Sequence, residues 1–411
     1  MKKYVIVGAG TRGLHMYGYR LTSDEFRNQA KLAGVYDVNR IRADIFSKKC
    51  GGIPCFDSFD DMISATQPDV VIITTIDCFH HEYIVRALEA GCDAITEKPM
   101  TIDAEKCRKI LDAERRTGKR VFVTFNMRFM PYMQQVKAFL QEGSLGDILN
   151  VEMEWKLDTI HGADYFRRWH RYLKNSGGLL LHKSSHHFDL INWWLEQEPE
   201  EVFAYASRKF YGPTRQNRGE RCLTCSHKNN CEYYWDINNC KDEYFHRHFY
   251  LEAEKEDGYI RDSCVFADDI DIYDSMSLNV KYSKGTLFNY SLIAHSPYEG
   301  WNAVINGTGG RLEAGEIYSG QGADDSYNHM KFYDRKGAIH SYDFPKKSGS
   351  HSGGDDNLMR MLLDDEVNDP LGCKASSWDG AMSMMIGAAA NVSISEVRPI
   401  RVKELLALHG Q

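Results

Sequence analysis

Residues 181–190, LHKSSHHFDL, bring His182, Lys183, His186, His187 and Asp189 close together in the chain. Two chemistries can use such a set. In the first, a neutral imidazole takes the proton of an alcohol while an ammonium group steadies the alkoxide, as oxidation of a carbinol requires. His186 is then the base. His182, one turn back, orients it or touches a neighbouring hydroxyl, and Asp189 either fixes its tautomer or contacts another domain. Lys183 faces substrate or is a solvated surface lysine. His187 points about 100° away and reads as structural. In the second chemistry, His182 and His186, spaced i, i+4, hold a zinc ion for hydrolysis, with His187 or Asp189 as third ligand.

A second cluster has metal-ligand spacing. Cys222, Cys225, Cys231 and Cys240 read C-x2-C-x5-C-x8-C, and four thiolates complete a tetrahedral zinc shell. Such a zinc is structural, because no coordination position stays open. It is expected to fold a polar insertion at about 212–262 that has few aliphatic residues. An iron–sulfur cluster, or reduced or disulfide-linked cysteines, are the alternatives. The other cysteines lack ligand spacing and are expected in the core.

A third set sits in YVIVGAGTRG, where a short apolar run breaks into Gly8, Gly10 and Gly13. In a dinucleotide site these glycines make the tight turn, admit the pyrophosphate and let a helix pack close. Thr11 and Arg12 lie among them, at a helix N-terminus whose free N–H groups face phosphate. The next strand, KLAGVYD, ends in Asp37, an acid that accepts from ribose hydroxyls of NAD and repels a 2′-phosphate. Arg40 nearby leaves NADP as the second choice.

These residues need elements to position them. DVVIITT (69–75), CDAITEKP (92–99) and RVFVTFN (120–126) read as buried strands, with helices at 82–91 and 103–118 between them. Such alternation predicts a doubly wound parallel sheet, a Rossmann domain over 1–126. Ligands sit at the carboxyl ends of its strands, which aligns Gly8–Gly13, Asp37, Thr75, Lys98 and Asn126 along one crevice. A helix after NMRFMP links to residues 127–411. There DILNVEMEW (147–155) starts strands of period two, and 274–296 and 301–314 read as hairpins. DYFRRWHRY (164–172) offers aromatic faces and guanidinium forks to a sugar, or is plain packing. HSGGDD (351–356) is a surface turn or a segment that closes over substrate.

Together GAGTRG, the Thr75…His80 spacing before ALEAG, TEKPM, NMRFMP and GGLLLHKSSHHFD resemble the Gfo/Idh/MocA oxidoreductases in order and spacing. The resemblance continues to SWDGAMSMMIGAAANVSISE and VRPIRVKELL, so it covers nearly the whole chain. It implies an α/β protein: a Rossmann domain followed by a C-terminal α/β domain on an open, mostly antiparallel sheet. It implies NAD(P), and substrates that are sugars, polyols or their derivatives. It makes Lys98 the catalytic lysine and His186 the catalytic histidine, and it adds His80 and Glu97 to the cofactor set. Arg128, Arg168, Trp169, Lys183 and Asp189 are the candidate substrate contacts. The sequence departs from the family at His182, where aspartate is common, at Ser184 in place of glycine, and at Thr75-Ile76 in place of Thr-Pro.

The net charge of -8 offers no basic surface to nucleic acid or anionic lipid. No apolar run spans a membrane, and the start MKKYVIVGAG is too short to be a secretory signal. A cytoplasmic protein without disulfides is expected, assembled as a homo-oligomer, a dimer or tetramer. The expected function is NAD-dependent hydride transfer at a hydroxyl or keto carbon of a carbohydrate. The alternatives are a glycosidase that uses tightly bound NAD for transient oxidation, and a zinc hydrolase built on His182 and His186.

Overall fold

The computed structural model describes residues 1–240, 243–324, 326–347, 350–364 and 366–407. Strands β1 (Lys2–Val7), β2 (Ala30–Tyr36), β3 (Val70–Ile73), β4 (Asp93–Thr96) and β5 (Val121–Val123) pair in parallel in the order β5-β4-β3-β1-β2. Val5, Ile6, Val71 and Ile72 are buried, as befits strands covered by helices on both faces. The chain leaves β1 for β2 and returns to the other side as β3. That reversal opens a crevice at the carboxyl ends of the strands. The helix Ala104–Thr117 shows how local chemistry sets the boundaries. The Asp103 carboxylate accepts from the Lys106 amide at its start, and Gly118 takes the left-handed conformation at its end.

The second sheet has nine strands: β6 (Ile148–Asp158), β7 (Pro199–Ser207), β8 (Ser275–Tyr282), β9 (Leu287–Ser296), β10 (Gly300–Gly307), β11 (Gly310–Ile317), β12 (Tyr327–Asp334), β13 (Ile339–Pro345) and β15 (Ile400–Arg401). Every pairing is antiparallel except β6 with β9. Both expected hairpins form, as β8–β9 and β10–β11. Alternate residues of β8 and β9 are buried, and Phe288 and Tyr290 meet Phe188 of the helix Ser185–Leu195.

The two sheets are tied together. β14 (Ala375–Ser376), far along the chain, adds an antiparallel edge to β5, so the boundary at 126/127 is crossed. The helix Ser377–Glu396 follows, started by a reciprocal Ser376–Asp379 cap. It packs against the helix Ala104–Thr117 on one side and against β7 and the helix Ser185–Leu195 on the other. Among the described residues no helix is long and apolar enough to cross a membrane.

The insertion lies between β7 and β8 and corrects the zinc and iron–sulfur expectations. Among the described residues no three His, Cys, Asp or Glu side chains converge as a metal shell, and all eleven cysteines are free thiols. The Cys222 Sγ instead accepts from the Arg167 guanidinium at 2.9 Å, and the Cys240 thiol faces the Ile237 carbonyl oxygen at 3.5 Å. Cys225 lies against Gly219. Aromatic rings pack in this region. Tyr211, Tyr233 and Phe266 pack on one another, with the Arg215 guanidinium 4.1 Å from the Phe266 ring centre.

Candidate active site

A cavity of about 980 Å³ runs from Asp37 and Val38, past the glycine loop, to His182, Lys183 and His186. Its first half is shaped by backbone. Gly8 has φ +98°, and a Cβ there would lie 2.7 Å from the Thr74 carbonyl group. A Cβ on Gly13 would lie 2.5 Å from the Gly8 oxygen, so only glycine lets this turn and the following helix meet. Gly10 borders open space. The Asp37 carboxylate accepts from the Ala9 and Asn39 amides at 2.6 and 2.7 Å. Burial raises its pKa, and Arg42 opposes that shift. Arg40 faces elsewhere, toward Asp44 and Asp57. Beside Asp37 the cavity is lined by Arg42, already paired with Asp257.

Further along, Glu97 accepts from Arg12 at 2.7 Å and from the Tyr17 hydroxyl at 2.8 Å. Arg12 and Asn126 both donate to Asp355, while the buried Asn126 Oδ1 has no partner. His80 bridges the Pro99 and Thr75 carbonyls at 2.9 and 3.1 Å. Open space at Gly10, a buried acid at the end of β2 and an unpartnered amide oxygen are what a dinucleotide needs from its host. The residues present fit one.

At the other end, Gly177 and Gly178 both have positive φ. They precede a short helix, Leu179–His182, which ends before the helix Ser185–Leu195 begins. His182 and His186 both line the cavity, but among the described residues no third His, Cys, Asp or Glu joins them in the metal shell that the zinc-hydrolase reading requires. His182 turns toward Asp77, its Nδ1 2.5 Å from Oδ2, with both side chains buried. The Lys98 ammonium donates to the His182 carbonyl oxygen at 3.0 Å. The His170 ring lies 4.3 Å from that of His182, and Trp169 stacks on His170 at 3.6 Å. His186 lines the cavity, and its buried Nδ1 has no partner. His187 points away: Nδ1 is 2.6 Å from the Tyr290 hydroxyl and the ring stacks on Trp155 at 3.8 Å. Lys183 sits 5.2 Å above the Trp155 ring.

Burial holds the imidazoles of His182, His186 and His170 well below their ordinary pKa, helped by the charge of Lys98. Burial also pushes the Lys98 ammonium down to about 8, against the pull of Asp77. A neutral base and a readily shared ammonium proton thus sit side by side.

Two candidate substrate contacts are elsewhere. Arg128 and Asp189 form a buried two-pronged pair at 2.8 and 2.6 Å, with Asp379 as a third member, and neither lines the cavity. Asp189 therefore holds helices together and does not set the tautomer of His186. Arg168 and Trp169 do line the cavity; Arg168 reaches Asp164 at 3.2 Å, and its Nε is buried without a partner. His351 and Ser352, from the segment read chiefly as a surface turn, also line it. Sequence reasoning named the segment 164–172 without singling out Tyr165 and His170, and it missed Asp77 and the His161–Glu299 pair at 2.9 Å. The position of Asp77, just past β3, was the available signal.

Residues 2–125 match the oxidoreductase family's NAD-binding Rossmann fold, and residues 137–402 match its C-terminal alpha/beta domain. The chain belongs to this family, Gfo/Idh/MocA. A Bacillus subtilis protein named as an oxidoreductase, YteT, is 35% identical across the whole of both chains. Glucose-6-phosphate 3-dehydrogenase of the same organism is 29% identical over 47% of this chain and 54% of its own length. A crystal structure of an NAD binding oxidoreductase from Klebsiella pneumoniae shares the fold, with a TM-score of 0.70 over 98% of each chain at 16% identity.

Proposed function

We propose that this chain transfers a hydride between NAD and a hydroxyl-bearing carbon of a sugar, polyol or glycoside. The observation that carries this reading is the meeting of Lys98 with the Asp77–His182 pair at the end of the cavity opposite Asp37. Sugar-dehydrogenase relatives support the substrate class.

Bound NAD⁺ supplies the hydride acceptor. The protein handles the proton. His182 keeps Nδ1 on Asp77, which leaves Nε2 as the atom to take the hydroxyl proton. The imidazolium that results lies against a buried carboxylate, which lowers its cost. Lys98 donates to the same substrate oxygen and stabilises its developing charge. His186 contacts the substrate beside them; its tautomer has no protein partner to set it, which is why we assign the base role to His182. Arg168, Trp169 and Lys183 form the surrounding wall. NAD is preferred to NADP because a 2′-phosphate would meet the Asp37 carboxylate.

The test is a panel of sugars and glycosides, followed by NADH absorbance and by product analysis. NADH formation that is lost in Lys98→Ala and His182→Ala, with NADH binding retained, supports the reading. Glycoside cleavage without net NADH would replace net oxidation by transient oxidation. Inactivity on all carbohydrates, with turnover of an unrelated alcohol, would remove the substrate class.

A further inference from the structure

The insertion plays no part in the chemistry above, yet part of it, Phe249–Tyr259, lies across the cofactor end of the cavity. The Asn39 side-chain amide donates to the Ala253 carbonyl at 2.8 Å. Arg42 donates to the Phe249 carbonyl at 3.1 Å and pairs with Asp257. The Ile41 amide donates to Glu256 at 3.3 Å. Inside the glycine loop itself, the Thr11 hydroxyl lies 2.7 Å from the Tyr250 hydroxyl. Beneath this segment the Asp37 side chain is only 10% exposed and that of Arg42 only 13%.

Tyr250, Asp257 and Tyr259 consequently line the same cavity as Gly8, Gly10 and Asp37. Tyr259 adds an independent observation. Its hydroxyl is buried and has no partner in the protein, although its ring is held by Arg42 and Tyr250 at 5.9 and 6.0 Å. A buried hydroxyl left unpaired is unfavourable, and a polar ligand in the cavity relieves it.

We infer that the insertion is a strap that completes the dinucleotide site: Tyr250 and Tyr259 offer their hydroxyls to bound NAD(H), and Asn39, Arg42 and Thr11 latch the strap down over it. The inference rests on the dinucleotide assignment and not on the sugar reaction. The cofactor leaves only when the latch opens, which slows its release.

The experiment is displacement of NADH from the full-length protein by excess NAD⁺, followed by nicotinamide fluorescence. Tyr259→Phe removes an oxygen that has no protein partner, so thermal stability without ligand should stay at the wild-type value. Tyr250→Phe/Asp257→Ala opens the latch. Each is expected to speed NADH release at least ~10-fold, the effect of losing one good hydrogen bond to a charged group. Release rates within ~2-fold of wild type in both variants, on the same threshold, would overturn the strap. Wild-type protein that does not bind NADH would overturn the strap and the dinucleotide assignment together. Normal release with no sugar oxidation would leave the assignment standing and fault only the proposed reaction.

Discussion

Asp77→Asn isolates the contribution of one buried carboxyl group, whose pKa burial raises and the Lys98 charge pulls back down. The substitution keeps the shape of the side chain and removes the carboxylate that lies 2.5 Å from the His182 ring. Two estimates bracket the loss. A hydrogen bond to a charged group contributes about 2 kcal/mol. Opposite unit charges at about 4 Å attract by about 4 kcal/mol at an effective dielectric constant of 20. If that stabilisation is needed only once the imidazolium forms, kcat for sugar oxidation falls by ~30- to ~1,000-fold. NADH affinity should be unchanged, since Asp77 lies at the substrate end. A second readout separates positioning from general damage. Lys98 titrates at about 8 because burial lowers it while Asp77 pulls it up. Lys98 must be protonated to donate to the substrate oxygen, so wild-type turnover should fall as pH rises through about 8. Without the Asp77 charge this alkaline limb should move to lower pH. Steady-state NADH formation from pH 5 to 10, at saturating substrate, measures both. A kcat within ~3-fold of wild type, against the ≥30-fold loss expected, together with an unmoved alkaline limb, would refute the Asp77–His182 assignment.

Lys98→Ala and His182→Ala should each lower turnover by at least ~100-fold with NADH binding retained in a fluorescence titration; His186→Ala should act chiefly on substrate KM. Asp37→Ala should narrow the preference for NADH over NADPH by roughly tenfold, about 1.4 kcal/mol, measured as a ratio of dissociation constants. Arg128→Ala leaves the Asp189 carboxylate buried and unpaired. It should cost about 3–5 kcal/mol in chemical denaturation, without weakening NADH binding per folded molecule.

Much of the fold is legible in local sequence, because it depends on local rules. GAGTRG works through glycines whose turn and close approach are settled within a few residues. The strand β3, Val70–Ile73, is apolar throughout because helices cover both its faces, whereas β8 and β9 alternate because one face stays wet. Caps such as Asp103 and Gly118 act within one helical turn. The site is less legible. Lys98 and His182 stand out by type, but their partners do not. Asp77 reaches His182 across 105 positions, and Asp189 is taken by Arg128 across 61. Cysteine spacing bounds the reach of the four thiols but not their direction, and they do not converge. The insertion, marked in the sequence by its cysteines, carries its weight through Tyr250 and Tyr259, which only the return of the chain to Thr11 and Arg42 brings to the cofactor crevice. Sequence alone thus determined the elements and offered the candidate side chains, with His186 as the base, since backbone geometry and burial periodicity repeat over a few residues. Which charges and hydroxyls meet was decided by the tertiary structure, because the electrostatic and hydrogen-bond energies of a buried group depend on neighbours a few ångströms away, whatever their distance along the chain.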